Sequence, residues 1–306
     1  MYLQPSNQKK LYGLNNELIE LINLYKNDKL PSKILLSGQK GVGKSTLAYH
    51  LINFILSQNE DFSYDLNNFL INSENKTFKL IQNKSNPNFI LIDVVKDKQN
   101  IDISQIRNLK KDLEKTSFNN KPKFVLIDNI EFLNVNSINS LLKILEEPPI
   151  NTYFLLINNE KKILPTLRSR CLNFRVFLSN QKSINIINQI LNSDIHDLIN
   201  IDLLNYYNTP GKIYNLVNLA NENNIDLRKV NLDKFLSLLI NETNYKKINS
   251  LKLLIYEFIE IYLIKKINPK NYLFVNNFFK KIKDTRKFNL DDETLFIEFK
   301  TKVLNG

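Results

Sequence analysis

Residues 124–149 read FVLIDNIEFLNVNSINSLLKILEEPP. The run FVLID has the length and apolar content of a buried strand, and it ends on an acid, Asp128. Beyond it, SINSLLKILEE repeats at helical spacing and stops at Pro148 and Pro149, which cannot continue a helix. In nucleotide-handling proteins, a strand ending on an acid sets a carboxylate beside a magnesium ion. Where such proteins turn ATP over, the next residue is often Glu, which orients the attacking water. Here it is Asn129, an amide that cannot accept a proton in that role. The question raised by the stretch is whether the protein hydrolyses a nucleotide or only holds one.

Upstream, ILLS (34–37) runs into GQKGVGKS (38–45) and then into TLAYHLINFIL, whose apolar spacing suits a helix. The octapeptide fits the phosphate-loop pattern G-x-x-x-x-G-K-[ST] in full, between a strand and a helix, the context that gives the pattern meaning. Gly38, Gly41 and Gly43 let the backbone wrap close to phosphate oxygens with its N–H groups inward. Lys44 would reach the β and γ phosphates, Ser45 would offer its hydroxyl to magnesium, and Thr46 belongs to the same contacting start of the helix. Asp128 would share that ion, directly or through water. Glu131 follows closely, but its direction cannot be read as the backbone leaves the strand.

Further apolar runs, NFILID (88–93) and TYFLLI (152–157), flank the amphipathic segment ISQIRNLKKDLEK (103–115), for which Ser104 is the expected N-cap. Strand and helix alternating in this order predict an α/β fold, a parallel sheet covered by helices. Asn158 ends the TYFLLI strand. It would face a γ phosphate if this strand neighbours the loop; an Asn-rich strand end accounts for it equally. After residue 176 the strand signals fade. QKSINIINQILN, PGKIYNLVNLANE, LDKFLSLLINE and SLKLLIYEFIEIYLIKKI all repeat at helical spacing, with Asn223 and Asn224 in a polar stretch that could join two helical units.

The 306 residues suit two or three domains, and 43% hydrophobic residues suffice for packed cores. The net charge of +11 fits a polyanionic partner such as nucleic acid, but the lysines are spread along the chain, as a compositional bias would spread them. One cysteine, Cys171, excludes an internal disulfide and a Cys-cluster zinc site, and a packing role is expected for it. His50, in the helix after the loop, is expected to pack or meet water. The start MYLQPSNQKK lacks an apolar secretion core, and FIEIYLIKKI is too short and charged to span a bilayer, so a cytoplasmic protein without membrane partners is expected.

The segments LLKILEEPP and LPTLRSRC (164–171), taken with GQKGVGKS, NPNFILID, IDISQIRNL and FVLIDNIE, resemble the bacterial clamp-loader ATPases of the AAA+ class. Delta-prime subunits of DNA polymerase III are the nearest in kind, gamma/tau subunits next. The motifs cover residues 30–175; the helical tail agrees in length and character. The resemblance implies an AAA+ nucleotide-binding domain over 1–176, a helical lid over 177–222 and a helical C-terminal collar over 223–306. It implies ATP and Mg2+ as ligands. It also implies that Arg170 acts in trans on the γ phosphate of an adjacent subunit, where a guanidinium spreads positive charge over transferring oxygens. In NTPGKIYNL (208–216), Lys212 takes the place of a lid residue turned to the γ phosphate, or is a solvated helix-start lysine.

Two departures from the family pattern bear on function. Many relatives carry a four-cysteine zinc module before the magnesium strand; DFSYDLNNFLINSENKTFKL fills that place here, so no zinc is expected. The Asp-Glu pair of an active gamma/tau subunit is Asp128-Asn129. The expectation is a clamp-loader subunit that holds ATP and hydrolyses it weakly, working with a gamma/tau-like ATPase and a delta-like subunit. It would meet the sliding clamp and primed DNA through that complex. The alternatives are a catalytic gamma/tau-like or other self-sufficient AAA+ ATPase, and a structural adaptor with a vestigial site. Glu146 and Glu147 read as surface or subunit-contact residues. FFKKIKDTRK (278–287) reads as a solvated helix face or a phosphate-binding surface.

Overall fold

The computed structural model describes residues 4–95, 98, 100–114, 120–159, 163–204, 208–241, 249–288 and 290–304. The chain divides into two units, Met1–Ile190 with Thr209–Asn215, and Leu191–Asn208 with Leu216–Gly306.

The first unit is built on a parallel sheet of β1 (Lys33–Ser37), β2 (Phe89–Ile92), β3 (Lys123–Ile127), β4 (Thr152–Asn158) and β5 (Leu172–Arg175). Their spatial order is β2-β3-β4-β1-β5. Side chains alternate across a strand, so each central strand serves two cores. Ile34, Leu36, Phe124, Leu126, Leu155 and Ile157 pack on one face with α1 (Asn15–Lys26), α2 (Lys44–Leu56) and α3 (Lys76–Gln82). Leu35, Val125, Ile127, Phe154 and Leu156 pack on the other with α4 (Ile103–Glu114) and α5 (Val135–Glu146). Burial on both faces is why these strands read as continuous apolar runs. The expected α/β parallel-sheet class is present.

One local expectation needs correction, and one strand was not foreseen. α4 begins at Ile103, so Ser104 lies inside the first turn; there Gln105 Oε1 accepts from the Asp102 amide at 3.0 Å. β5 carried no readable signal: its residues LNFR are largely exposed, because it pairs only with β1 at the sheet edge. α6 (Pro165–Arg168) and α7 (Asn180–Leu191) flank it.

The second unit is helical, as expected: α8 (Ile195–Leu198), α10 (Leu232–Asn241), α11 (Asn249–Lys266), α12 (Tyr272–Phe288) and α13 (Asp292–Phe299). The helix α9 (Pro210–Glu222) starts among residues of the first unit. Lys115 and Glu242, the ends of two expected helices, lie outside the described residues. Aromatic edges knit the helical core, with Phe235–Phe258 and Tyr256–Phe296 centroids both 4.9 Å apart. In α12, Phe278 and Ile282 are buried, while Lys281 pairs with Glu298 and Arg286 with Glu260. Among the described residues no helix is long and apolar enough to cross a membrane.

His50 shows how tightly the first unit closes. Its ring is fully buried, with Nδ1 2.8 Å from the Tyr64 hydroxyl and Nε2 3.1 Å from the Gln8 carbonyl. A carbonyl only accepts, so Nε2 carries the proton and Tyr64 donates to Nδ1. Burial pushes the imidazole down to about 4, with the Gln8 carbonyl opposing. The unfolded chain, with its ordinary value near 6.5, then binds an extra proton between these limits, so stability falls as pH drops through that window. Between pH 7 and pH 5 the wild type should lose about 2 kcal/mol more than His50→Gln, read from urea unfolding at both pH values. Equal losses in the two proteins would remove His50 from the account.

Candidate functional site

The phosphate loop leaves β1 and enters α2 through three residues in left-handed backbone, Gly38 (φ 151°), Gly41 (φ 89°) and Gly43 (φ 97°). Two of them are also needed for closeness. A Cβ on Gly38 would stand 2.2 Å from the Val176 carbonyl oxygen, and one on Gly41 would stand 2.5 Å from Thr209 Oγ1. Gly43 is the N-cap of α2 and supplies no side-chain cap. An anion at the start of α2 would meet the positive end of the helix dipole.

Lys44 is 3% exposed and donates to the Gly38 and Gln39 carbonyls, each at 2.7 Å. Ser45 Oγ donates to Asp128 Oδ2 at 2.7 Å. Burial pushes the Asp128 carboxyl up to about 6; the Ser45 hydrogen bond opposes this and Asp93 adds to it. A partly buried carboxylate beside a hydroxyl is a donor pair suited to a small divalent ion. Among the described residues no three His, Cys, Asp or Glu side chains gather into a metal site.

β3 exits through Asn129 in left-handed backbone (φ 57°, ψ 48°), one of the few side chains that tolerates it, followed by a 3-10 turn over Ile130–Phe132. This kink aims the side chains after Asp128. Asn129 Nδ2 donates to Asp93 Oδ1 at 2.8 Å, and its Oδ1 accepts from Asn159 Nδ2 at 2.9 Å. Asn159 Nδ2 also donates to Glu131 Oε1 at 2.9 Å, with the Asn159 amide 3.4 Å from Oε2. The residue following the acid is thus a strut between the ends of β2 and β4. Asn158 is in register with Ser37 of β1, so its strand does neighbour the loop, and it is 7% exposed. The network itself was missed in the sequence, since Asn159 reads as one more Asn and Glu131 had no readable direction.

The start of α9 rests on the loop. Thr209, fully buried, donates its hydroxyl to the Lys40 carbonyl at 2.8 Å, and the Gly211 amide donates to the Gly41 carbonyl at 2.9 Å. Lys212 is exposed, and its amide lies 3.1 Å from the Thr209 carbonyl. Loop carbonyls therefore accept from the Thr209 hydroxyl and the Gly211 amide, groups that carry no charge to mark them in a sequence.

Arg170 lies elsewhere. It precedes β5, whose Leu172 registers with Ile34 near the start of β1, whereas the loop leaves β1 after Ser37. The strand between them is roughly 10 Å long. The guanidinium donates from Nη2 to Glu146 Oε1 at 2.6 Å and from Nη1 to the Thr166 carbonyl at 2.9 Å, with 34% of the side chain exposed. Cys171 is half-buried against the α4–α5 core, where burial pushes its thiol up to about 11; this suits packing, not nucleophilic chemistry.

Residues 14–179, more than half of the chain, match the protein family described as DNA polymerase III, delta subunit. The chain belongs to this family. It is a clamp-loader family of the AAA+ class, and its curated relatives carry matching names. The chain is 34% identical over 146 residues to DNA polymerase III subunit delta' of Buchnera aphidicola subsp. Baizongia pistaciae, a match covering 45% of this chain and 42% of that one. It is 27% identical over 278 residues to the same subunit of Buchnera aphidicola subsp. Schizaphis graminum, covering 86% and 82%. It is also 30% identical over 190 residues to the gamma subunit of the latter organism, covering 61% and 50%. Two of these three matches span half the length of the relative or less. Among solved structures, a DNA polymerase III gamma subunit-related protein of Thermotoga maritima superposes with a TM-score of 0.51 at 14% identity, covering 93% of this chain and 97% of that one. That likeness concerns the fold, and the AAA+ architecture expected from the sequence is the one observed.

Proposed function

We propose that this chain is a clamp-loader subunit of the delta-prime kind, one that holds ATP, hydrolyses it weakly and lends Arg170 to the triphosphate of an adjacent subunit. One observation carries the reading: Arg170 lies at the opposite end of the strands from the chain's own phosphate loop, so a phosphate it serves belongs to another molecule. In this proposal its neighbours are a gamma/tau-like ATPase and a delta-like subunit, and the sliding clamp and primed DNA are met through their complex. The division into a lid over 177–222 and a collar over 223–306 belongs to the same proposal.

The residues present fit a magnesium nucleotide. The uncapped start of α2 offers N–H groups to phosphate, and Ser45 with Asp128 offers a hydroxyl and a carboxylate to the ion. Mg2+, when bound, would supply positive charge there, with Ser45 and Asp128 to hold it. Lys44, which donates to two loop carbonyls, would turn to phosphate oxygens. Asn158 and Lys212 flank the loop from β4 and α9. Weak turnover follows from Asn129, whose amide is engaged by Asp93 and Asn159, leaving no base at that place.

The test is binding of a fluorescent ATP analogue with Mg2+ to the purified chain. Lys44→Ala should weaken it by about 10- to 100-fold, the worth of charge-assisted hydrogen bonds to phosphate, with assembly into the complex intact. Equal affinity of variant and wild type would refute nucleotide holding and favour a structural adaptor. Rapid hydrolysis by the chain alone, lost in Lys44→Ala, would favour a self-sufficient ATPase.

A further inference from the structure

We infer that Glu146 is a positioning residue for Arg170, a brace that holds the guanidinium in the pose in which a neighbouring subunit's triphosphate meets it. The inference rests on the trans-acting reading of Arg170 and extends it to a second residue.

Glu146 is the last residue of α5, and Glu147 follows it. Carboxylates at a helix C-terminus face the negative end of its dipole, an unfavourable placement. The end of α5 already has a cation, since Lys33 Nζ donates to the Leu145 carbonyl at 3.1 Å. Pro148 and Pro149 stop the helix without help from Glu146. The ion pair is also half in solvent, with the Glu146 side chain 53% exposed, and exposed pairs add little to stability. Folding therefore gives little reason for an acid at this position.

The geometry supplies a reason. An arginine has five N–H donors in a rigid planar fork. Glu146 takes one on Nη2, and the Thr166 carbonyl takes one on Nη1. Two anchors on the two terminal nitrogens fix both the position and the plane of the fork, while donors remain for phosphate oxygens. The anchors come from separate elements, α5 and the α6 turn, and Leu167, 1% exposed, ties that turn to the core. An exposed arginine without them would have to be ordered when it meets the phosphate, and the ordering would be paid at the transition state.

The experiment uses the complete complex, reconstituted from this chain and the other clamp-loader subunits of its organism, with clamp and primed DNA. Steady-state ATPase is measured for wild type, Glu146→Ala, Glu146→Gln, Arg170→Ala and the double variant Glu146→Ala/Arg170→Ala. Glu146→Ala should lower kcat about three- to tenfold, the cost of ordering one long side chain, with KM for ATP and assembly unchanged. Glu146→Gln, which can still accept from Nη2, should retain most of the rate. The double variant should match Arg170→Ala. A full rate in Glu146→Ala beside a deficient Arg170→Ala overturns the brace but keeps the trans arginine. A raised rate in Glu146→Ala makes the pair a restraint and overturns the brace as well. A full rate in Arg170→Ala removes the trans reading, and the brace falls with it.

Discussion

In the reconstituted complex, Arg170→Ala should cut the partner's clamp- and DNA-stimulated ATPase by about a thousandfold in kcat. The magnitude is that of a guanidinium withdrawn from a transferring phosphoryl group, where its charge counts most in the transition state. The chain itself should be almost indifferent to the change. Arg170 makes one partly exposed ion pair and one backbone contact, so the melting temperature should move by no more than about 3 °C. Assembly, followed by gel filtration, should be intact. The combination is diagnostic: a silent effect on this chain and a severe one on another. A partner rate within twofold of wild type would refute the role.

The second large effect lies at Gly38. An alanine there must adopt a backbone that L residues avoid, at a cost of about 1–2 kcal/mol. Its Cβ would also stand 2.2 Å from the Val176 carbonyl oxygen, which is held by the chain beyond β5 and cannot swing aside as a side chain would. The total should reach about 3 kcal/mol or more, a fall of roughly 10 °C in melting temperature for a unit of this size. Nucleotide binding should be lost in the same variant, because Lys44 donates to the Gly38 carbonyl and the loop cannot move without moving the lysine. Calorimetry of Gly38→Ala beside wild type checks this; a melting point within 2 °C would mean that the loop mouth is far looser than described.

The central strands were legible because burial on both faces leaves them uniformly apolar, and the helices because one face repeats at the helical period. What escaped was decided by contact instead of composition. LNFR, residues 172–175, is a strand because β1 offers it an edge, not because its side chains seek a core. Asn158 was readable as a polar strand end, but Asn159, which donates to Asn129 and Glu131, was not, since it reads as one more residue of an Asn-rich segment. Glu131 needed the left-handed turn at Asn129 before its direction had meaning. Glu146 read as a surface or subunit-contact residue, and it is exposed; its pairing with Arg170 joins segments separated by a whole strand and turn. The loop, by contrast, was readable as a pattern, since its glycines adopt positive φ within one short segment, although Gly38 and Gly41 also answer to Val176 and Thr209.

If Arg170 serves a neighbour's phosphate as proposed, its placement at the opposite end of the strands from the loop gives each molecule a giver's end and a taker's end. Such objects have polarity. Two of them related by a twofold axis would set like against like, whereas stacking head to tail joins unlike ends and repeats without closing on itself until geometry or a different subunit ends the row. The first and last members of any such row would each keep one end unanswered, and those two positions are where a chain that gives but scarcely consumes, as proposed for this one, would be best spent.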